Sequence, residues 1–382
     1  MTGSPAGGAA AVPGPRAAGD QGAVADGGGG LRTLALIESP VQLLNLLEWV
    51  HAQRTAGALS VADCTVVVLP PRDPMSRGQL RRMAELARDE GLALRWCEPR
   101  TATAGPVRTL AGLTPLLLRA KRLVLGDPFS RFVQTLLPLT RARDLVVIDD
   151  GTATMEFVAL IADGQRLVRW HRAGRGLRDA AFAAVAANAR RRLTAGPNRR
   201  VELFSSMPVT PPPGTRLHVN HLAWTRARFG PPAVRRGADL IGTSLVETGV
   251  VEPDAYLAAV RGIAAAHGAT RYFAHRRERE DKLRRLSAET GLEIVRPDLP
   301  LELVARRGPI GARLLSFPST VVHTLPLALD GTGVEVAVCE VDPTWLTSGA
   351  SPRAHGFLSG ITSAARSRHG LGAIRNPVAV TS

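Results

Sequence analysis

The sequence predicts an α/β protein of two Rossmann-like lobes facing a central cleft, and three observations predict it. Short aliphatic runs alternate with helical patterns, the order in which parallel sheets are built. The alternation occurs twice, on either side of the run Pro208 to Gly214, where Pro211, Pro212 and Pro213 stand in succession and break regular structure. The chain is 382 residues long, more than one core ordinarily organises, and suits two.

The elements follow in order. Residues 1–30 are almost entirely Gly, Ala, Pro, Ser and Asp, too poor in apolar surface to fold, and are expected to form a disordered tail. Leu34 to Ile37 reads as a short buried strand, followed through Ser39 and Pro40 by a helix from Val41 to Gln53. Cys64 to Leu69 and Leu92 to Trp96 read as strands around an arginine-rich helix from Ser76 to Asp89. Lys121 to Leu125 and Asp144 to Ile148 are two more strands, separated by a helix from Arg131 to Leu137 that Pro138 ends. This first lobe is expected to cover 31–210. The second, 211–382, repeats the pattern. Asp239 to Gly242 ends a strand, Asp254 to His267 is a helix, Arg271 to Phe273 a strand and Arg279 to Thr290 a helix. Leu292 to Val295, Arg313 to Phe317 and Val334 to Cys339 complete its strands. Ligands of such sheets bind beyond the carboxyl ends of the strands, so functional residues are expected just after them.

Composition narrows the classes. Hydrophobic residues at 45% and charged residues at 21% fit a globular protein, and an aromatic share of 4% argues against base-stacking surfaces. The formal charge of +15 points towards polyanions, but Lys121 and Lys282 are the only lysines, so the charge is almost all arginine and follows a Gly-, Ala-, Pro- and Arg-rich composition. No helix pairs base-reading residues with a DNA-binding motif, so no specific nucleic-acid partner is expected. Cys64, Cys97 and Cys339 are odd in number and far apart, which fits neither a disulfide framework nor a zinc site and suggests a cytoplasmic protein. Apolar runs such as Leu110 to Leu118 are too short to span a bilayer, leaving at most peripheral contact with the inner face of a membrane.

Three strand ends carry groups suited to chemistry. Ile148-Asp149-Asp150-Gly151-Thr152 places two carboxylates and a turn-permitting glycine after a buried strand; a desolvated Asp there suits a general base or a metal ligand, although an Asp-Gly turn gives the same pattern without chemistry. His275 follows the strand Arg271 to Phe273 beside Arg276 and Arg277, and a cationic His there suits protonation of a leaving phosphate; taken alone, a loop histidine before a charged helix is the more common reading. Ser316, Ser319 and Thr320 lie at a strand-to-helix junction, where hydroxyls and free N–H groups suit a phosphate or simply cap the helix. Gly174-Arg175-Gly176 lacks the third glycine of a dinucleotide loop, Asp179 standing in its place. The chain has no GxxxxGK[ST], GxSxG or HExxH, which removes the usual signs of P-loop, nucleophile-elbow and zincin chemistry.

In order, these segments resemble the bacterial α-2,8-polysialyltransferase-like family, which is related to the lipooligosaccharide sialyltransferases. The resemblance spans roughly residues 31–345 and rests on Glu38 to Asn45, similar to the family's SPxQ opening, then Gly126-Asp127, Asp149 to Gly151, Gly242 to Glu247, Tyr272 to Glu278 and Ser316 to Thr320. It implies a GT-B-like fold with the acceptor and base on the first lobe and the donor on the second. It also implies an inverting glycosyltransferase that moves sialic acid or a related acidic sugar from a CMP-activated donor to a glycan or glycolipid acceptor. No separate cofactor or obligatory metal is implied, the CMP-linked sugar being a co-substrate. Asp150 would be the base, His275 would neutralise or protonate the leaving phosphate, and Ser319 and Thr320 would hold it. Ser39, Gln42, Asn45, Asp149, Gly151, Gly242 and Arg276 are the further substrate-contact candidates. Two positions depart from the family: Arg276 stands where it has proline, and Thr320 where it has serine.

Two other readings remain open at this level: a glycosyltransferase using another nucleotide sugar, and a non-catalytic basic protein binding acidic glycans or nucleic acid.

Overall fold

The computed structural model describes residues 33–100, 105–169, 177–350 and 352–374. The expected tail over 1–30 and the Gly174 to Gly176 loop lie outside them.

The first lobe runs β1 (Thr33–Ile37), α1 (Pro40–Thr55), β2 (Cys64–Val68), α2 (Pro74–Asp89), β3 (Ala93–Trp96), α3 (Gly105–Arg119), β4 (Arg122–Leu125), α4 (Arg131–Leu136), β5 (Asp144–Ile148), α5 (Ala153–Ala162), α6 (Leu177–Arg192), β6 (Arg200–Ser205), β7 (Thr215–Val219) and α7 (Ala223–Arg228). The second runs β8 (Val234–Ile241), α8 (Pro253–His267), β9 (Ala269–Phe273), α9 (Glu280–Thr290), β10 (Glu293–Val295), α10 (Leu301–Arg307), β11 (Ile310–Ser316), α11 (Val321–Ala328), β12 (Glu335–Cys339), α12 (Pro352–His369) and β13 (Gly372–Ile374). The strand orders are β3-β2-β1-β4-β5-β6-β7 and β10-β9-β8-β11-β12-β13. Every pairing in both sheets is parallel. Each sheet therefore has the doubly wound order with its reversal beside the first strand, and each reversal opens a crevice at the carboxyl ends. The expected GT-B-like architecture of two Rossmann-like lobes is what the chain adopts.

The proline run was expected to join the lobes, with a boundary at 210. It instead connects β6 to β7, and β7 pairs with β6 in register from Val201 opposite Thr215 to Ser205 opposite Val219. The first sheet thus continues to Val219, and the second begins only at Val234. Prolines are tolerated there because the connection lies outside the ladder of hydrogen bonds. The strands β6 and β7, the helices α3, α5, α7 and α10, and the last pair α12 and β13 went unread. β6 (RVELFS) mixes charge with apolar residues, and α7 and α10 are too short to show a period.

Helix α1 explains much of the site's placement. Its Ser39 hydroxyl accepts from the Gln42 N–H at 3.2 Å and Pro40 occupies the first turn, both start signals. The helix is buried on nearly every face from Pro40 to Val50. Its polar residues Gln42, Asn45 and Glu48 recur every third position, forming one buried stripe, and each finds partners. Glu48 accepts from the N–H groups of Trp224 and Thr225, both at 2.8 Å, and from the Thr225 hydroxyl at 2.6 Å, fixing the start of α7. Leu299 and Leu303 of the second lobe join the apolar cluster formed by α1, α2 and the face of the first sheet, so the lobes share packed surface. Among the described residues no helix is long and apolar enough to cross a membrane.

Candidate active site

The strand ends at the two crevices meet across the cleft. They enclose a cavity of about 180 Å³ lined from the first lobe by Val41, Gln79, Asp150 and Gly151, and from the second by Gly242, His275, Arg276, Glu302, Ser319 and Thr320 among others. Three direct contacts close it: Gln79 Nε2 donates to the Pro297 carbonyl at 2.8 Å, Arg82 pairs with Asp298 at 2.5 Å, and the Thr152 N–H donates to Thr320 Oγ1 at 3.2 Å.

The two neighbouring aspartates point to opposite sides, as alternation along an extended strand end requires. Asp150 turns into the cavity. Its Oδ1 accepts from Gln42 Nε2 at 3.0 Å and its Oδ2 from Arg169 at 2.8 Å, while Arg169 also pairs with Asp127 at 3.2 Å. Burial, and next the like charge of Asp127, push the Asp150 carboxyl up to about 6, against the opposing pull of Arg169 and Gln42. Such a carboxylate is ionised at neutral pH and basic enough to take a proton.

Asp149, expected among the substrate contacts, does not reach the cavity. It is 1% exposed, and its carboxylate accepts from the Ser205 hydroxyl at 2.5 Å, the Ser206 N–H at 2.6 Å and the Ser206 hydroxyl at 2.9 Å. Its role is to tie the β5 turn to the end of β6. Asn45 is likewise spent on structure: its amide donates to the Asp149 carbonyl at 3.0 Å and its oxygen accepts from Asn220 at 3.0 Å. Ser39 caps α1, and Gln42, whose oxygen accepts from the Glu38 N–H at 2.8 Å, orients Asp150. Three of the α1 candidates thus hold the base and its turn in place rather than lining the cavity.

Glycine is required at two of these strand ends. Gly151 has φ +67°, and a Cβ there would overlap Thr320 Oγ1. A Cβ on Gly242 would overlap Tyr272 and Glu278, whose network supports the next loop. In that network Tyr256 and Tyr272 share a bond of 2.6 Å, Tyr272 donates to Glu278 at 2.6 Å, and Glu278 takes Lys282 at 2.7 Å and the His275 N–H at 2.6 Å.

The loop so held presents His275, but not as the expected cation. Burial, followed by the charges of Arg276, Arg277 and Lys282, pushes the imidazole down to about 3, and its Nδ1 accepts from the Arg277 N–H at 3.2 Å. The ring is neutral at pH 7 with its proton on Nε2, a hydrogen-bond donor rather than a charged acid. Thr320 contributes its hydroxyl to the interlobe contact with Thr152, and Ser319 lines the cavity at the start of α11.

Sequence reasoning missed Arg169, which returns to Asp150 from a loop beyond α5; no spacing rule marks it. Asp127 follows β4 just as Asp150 follows β5, so the strand-end rule was sufficient to find it. Glu38, paired with Arg100, and Glu302, which accepts from Thr324 at 2.5 Å, were hidden because buried carboxylates reveal themselves only through their partners. Among the described residues no three His, Cys, Asp or Glu gather closely enough to hold a metal ion.

No family model and no curated sequence matches the chain. Solved structures of similar chain path exist. An α/β-galactoside α-2,3-sialyltransferase of the luminous marine bacterium Photobacterium phosphoreum is 9% identical, with 90% of this chain and 98% of that one covered at a TM-score of 0.49. The glycotransferase of kitacinnamycin is 14% identical over 92% of this chain and 87% of that one, at 0.46. The UDP-GlcNAc 2-epimerase of Neisseria meningitidis, bound to UDP-GlcNAc, is 9% identical over 80% and 82%, at 0.45.

Proposed function

We propose that this chain is an inverting glycosyltransferase that moves sialic acid or a related acidic sugar from a CMP-activated donor to a glycan acceptor. One observation carries the reading: a cavity-facing carboxylate, Asp150, raised to about 6 on one lobe, opposes Ser319, Thr320, His275 and Arg276 on the other. A base on one wall and anion-binding groups on the other are the two needs of displacement at an anomeric carbon. Asp150 takes the proton of the acceptor hydroxyl as its oxygen bonds to the anomeric carbon. The bond from that carbon to the phosphate oxygen breaks, and CMP leaves with the electron pair. Ser319 and the start of α11 receive the phosphate, and the neutral His275 donates its Nε2 hydrogen to it. The choice of CMP and an acidic sugar rests on the ordered motif resemblance.

The cavity of about 180 Å³ is smaller than the roughly 300–1,000 Å³ that encloses a ligand of drug size. The lobes therefore separate to admit the donor, breaking the Gln79, Arg82 and Thr152 contacts, and close to exclude water.

The test is calorimetric titration with CMP, UDP and GDP. Selective CMP binding is expected; preference for UDP or GDP favours a transferase with another nucleotide sugar, and salt-sensitive polyanion binding with no nucleotide site favours a non-catalytic glycan binder.

Two predictions concern pH. A base must be ionised to work, so kcat/KM is expected to rise as pH increases through about 6 and to level above it, as initial rates across pH 4.5–8.5 would show (roughly this window, set by the shift). Gln42→Leu removes a hydrogen bond that favours the ionised form, while Arg169 still holds the other carboxylate oxygen. Its acidic limb is expected at higher pH than in the wild type; an unmoved limb with reduced kcat would assign Gln42 to packing alone.

A further inference from the structure

We propose that Arg276 is the cation that takes up the charge of the leaving phosphate, an assignment that rests on the transferase reading. The neutral His275 leaves that charge without a counterpart, and Arg276 is placed to supply it.

Arg276 lines the interlobe cavity together with Asp150, Gly242, Ser319 and Thr320. Among the described residues it makes no hydrogen bond and no ion pair. Arg277 beside it is exposed, and several other arginines near the strand ends are engaged. Arg271 takes Asp239 with two bonds at 2.9 and 2.6 Å, Arg169 bridges Asp127 and Asp150, Arg100 holds Glu38, and Arg77 takes Glu98 at 3.0 and 2.6 Å. A partly buried cation without a partner is costly, and proteins keep such groups where a ligand completes them.

Its surroundings direct what that ligand is. Burial opposes the charge first; Asp150 supports it, then Arg277 opposes it, and Asp73 and Glu302 lend further support. None of the three carboxylates is close enough to form an ion pair, and Glu302 is already bonded to Thr324. Arg276 is thus held ionised by carboxylates at a distance while its donors stay free. An anion arriving between the lobes meets the guanidinium, the Ser319 hydroxyl and the start of α11 together.

The chemistry favours a phosphate that departs. A guanidinium stays charged throughout the useful pH range, so it needs no proton transfer and offers paired N–H donors to two phosphate oxygens. As the bond to the sugar breaks, charge grows on the oxygen that leaves with CMP, and a fixed cation stabilises that growth more than the bound donor. Asp150 and Arg276 line the same cavity from opposite lobes, so closure places the base and the leaving-group cation on either side of the reacting carbon.

The decisive experiment compares CMP with cytidine by calorimetric titration of the full chain in wild type, Arg276→Gln, Arg276→Lys and His275→Gln, each first checked for an unchanged thermal transition. UDP with uridine and GDP with guanosine serve as parallel pairs, so the result does not hang on the base. The wild type is expected to bind the nucleotide more tightly than the nucleoside. Arg276→Gln is expected to erase that advantage by roughly 10- to 100-fold, the scale of a charged hydrogen bond. Arg276→Lys should restore part of it, and His275→Gln should lose less than Arg276→Gln. Nucleotide binding in the wild type with an undiminished phosphate advantage in Arg276→Gln overturns this assignment and spares the transferase reading. No nucleotide binding by the wild type overturns both.

Discussion

Asp150→Asn is expected to lower kcat by about 10²- to 10⁴-fold, the range attributed to a positioned general base, with the fold and nucleotide binding retained. The amide keeps the size of the carboxyl and can still meet Gln42 or Arg169 with its oxygen, but it cannot accept the acceptor's proton. Burial and Asp127 raise Asp150, while Arg169 and Gln42 hold it ionised; the balance at about 6 suits work at neutral pH. Single-turnover rates with saturating donor are the right measure, since they separate chemistry from product release. Retention of full activity in this variant would remove Asp150 from the mechanism.

The neighbouring substitution, Asp149→Ala, is expected to do the opposite: to reduce stability by about 2–4 kcal/mol, because a buried acceptor is lost and its donors are left unmet. Three donors converge on that carboxylate, the Ser205 hydroxyl and both the N–H and hydroxyl of Ser206. Asp149→Asn is expected to recover part of the loss, because its oxygen can still accept from the Ser206 N–H and hydroxyl while its NH2 meets the Ser205 hydroxyl, which can turn to accept. Urea unfolding monitored by far-ultraviolet circular dichroism measures the effect; a midpoint equal to that of the wild type would show that the anchor between β5 and β6 is dispensable. Two adjacent acidic residues are thus separable, one by chemistry and the other by stability.

The contrast shows where sequence reasoning reaches and where it stops. The βα alternation and the strand-end rule brought Asp150, His275, Arg276, Ser319 and Thr320 to one cavity, because both follow from local pattern and from the doubly wound order. They did not show which face each residue takes. Ser39 caps α1 through a local bond, but Asp149 and Asn45 turn inward, and only the partners Ser205, Ser206 and Asn220, some 56 to 175 residues away, decide that. The charge of His275 was misjudged for the same reason. The arginines beside it in the loop already disfavour a cation, and burial, which only the fold shows, adds the larger push with Lys282 behind it. The proline run misled because prolines mark a break in regular structure without saying whether the next strand returns to the same sheet, as β7 does.

The central claim is that Asp150 activates an acceptor for displacement at a CMP-linked acidic sugar. The most direct test incubates wild type and Asp150→Asn with CMP-sialic acid and a panel of glycan acceptors, following CMP release and the anomeric configuration of the product by nuclear magnetic resonance. The predicted result is acceptor-dependent CMP release by the wild type, one sugar transferred with inverted configuration for each CMP, and near-complete loss of transfer in Asp150→Asn. Retained configuration, or equal transfer by the variant, would contradict it.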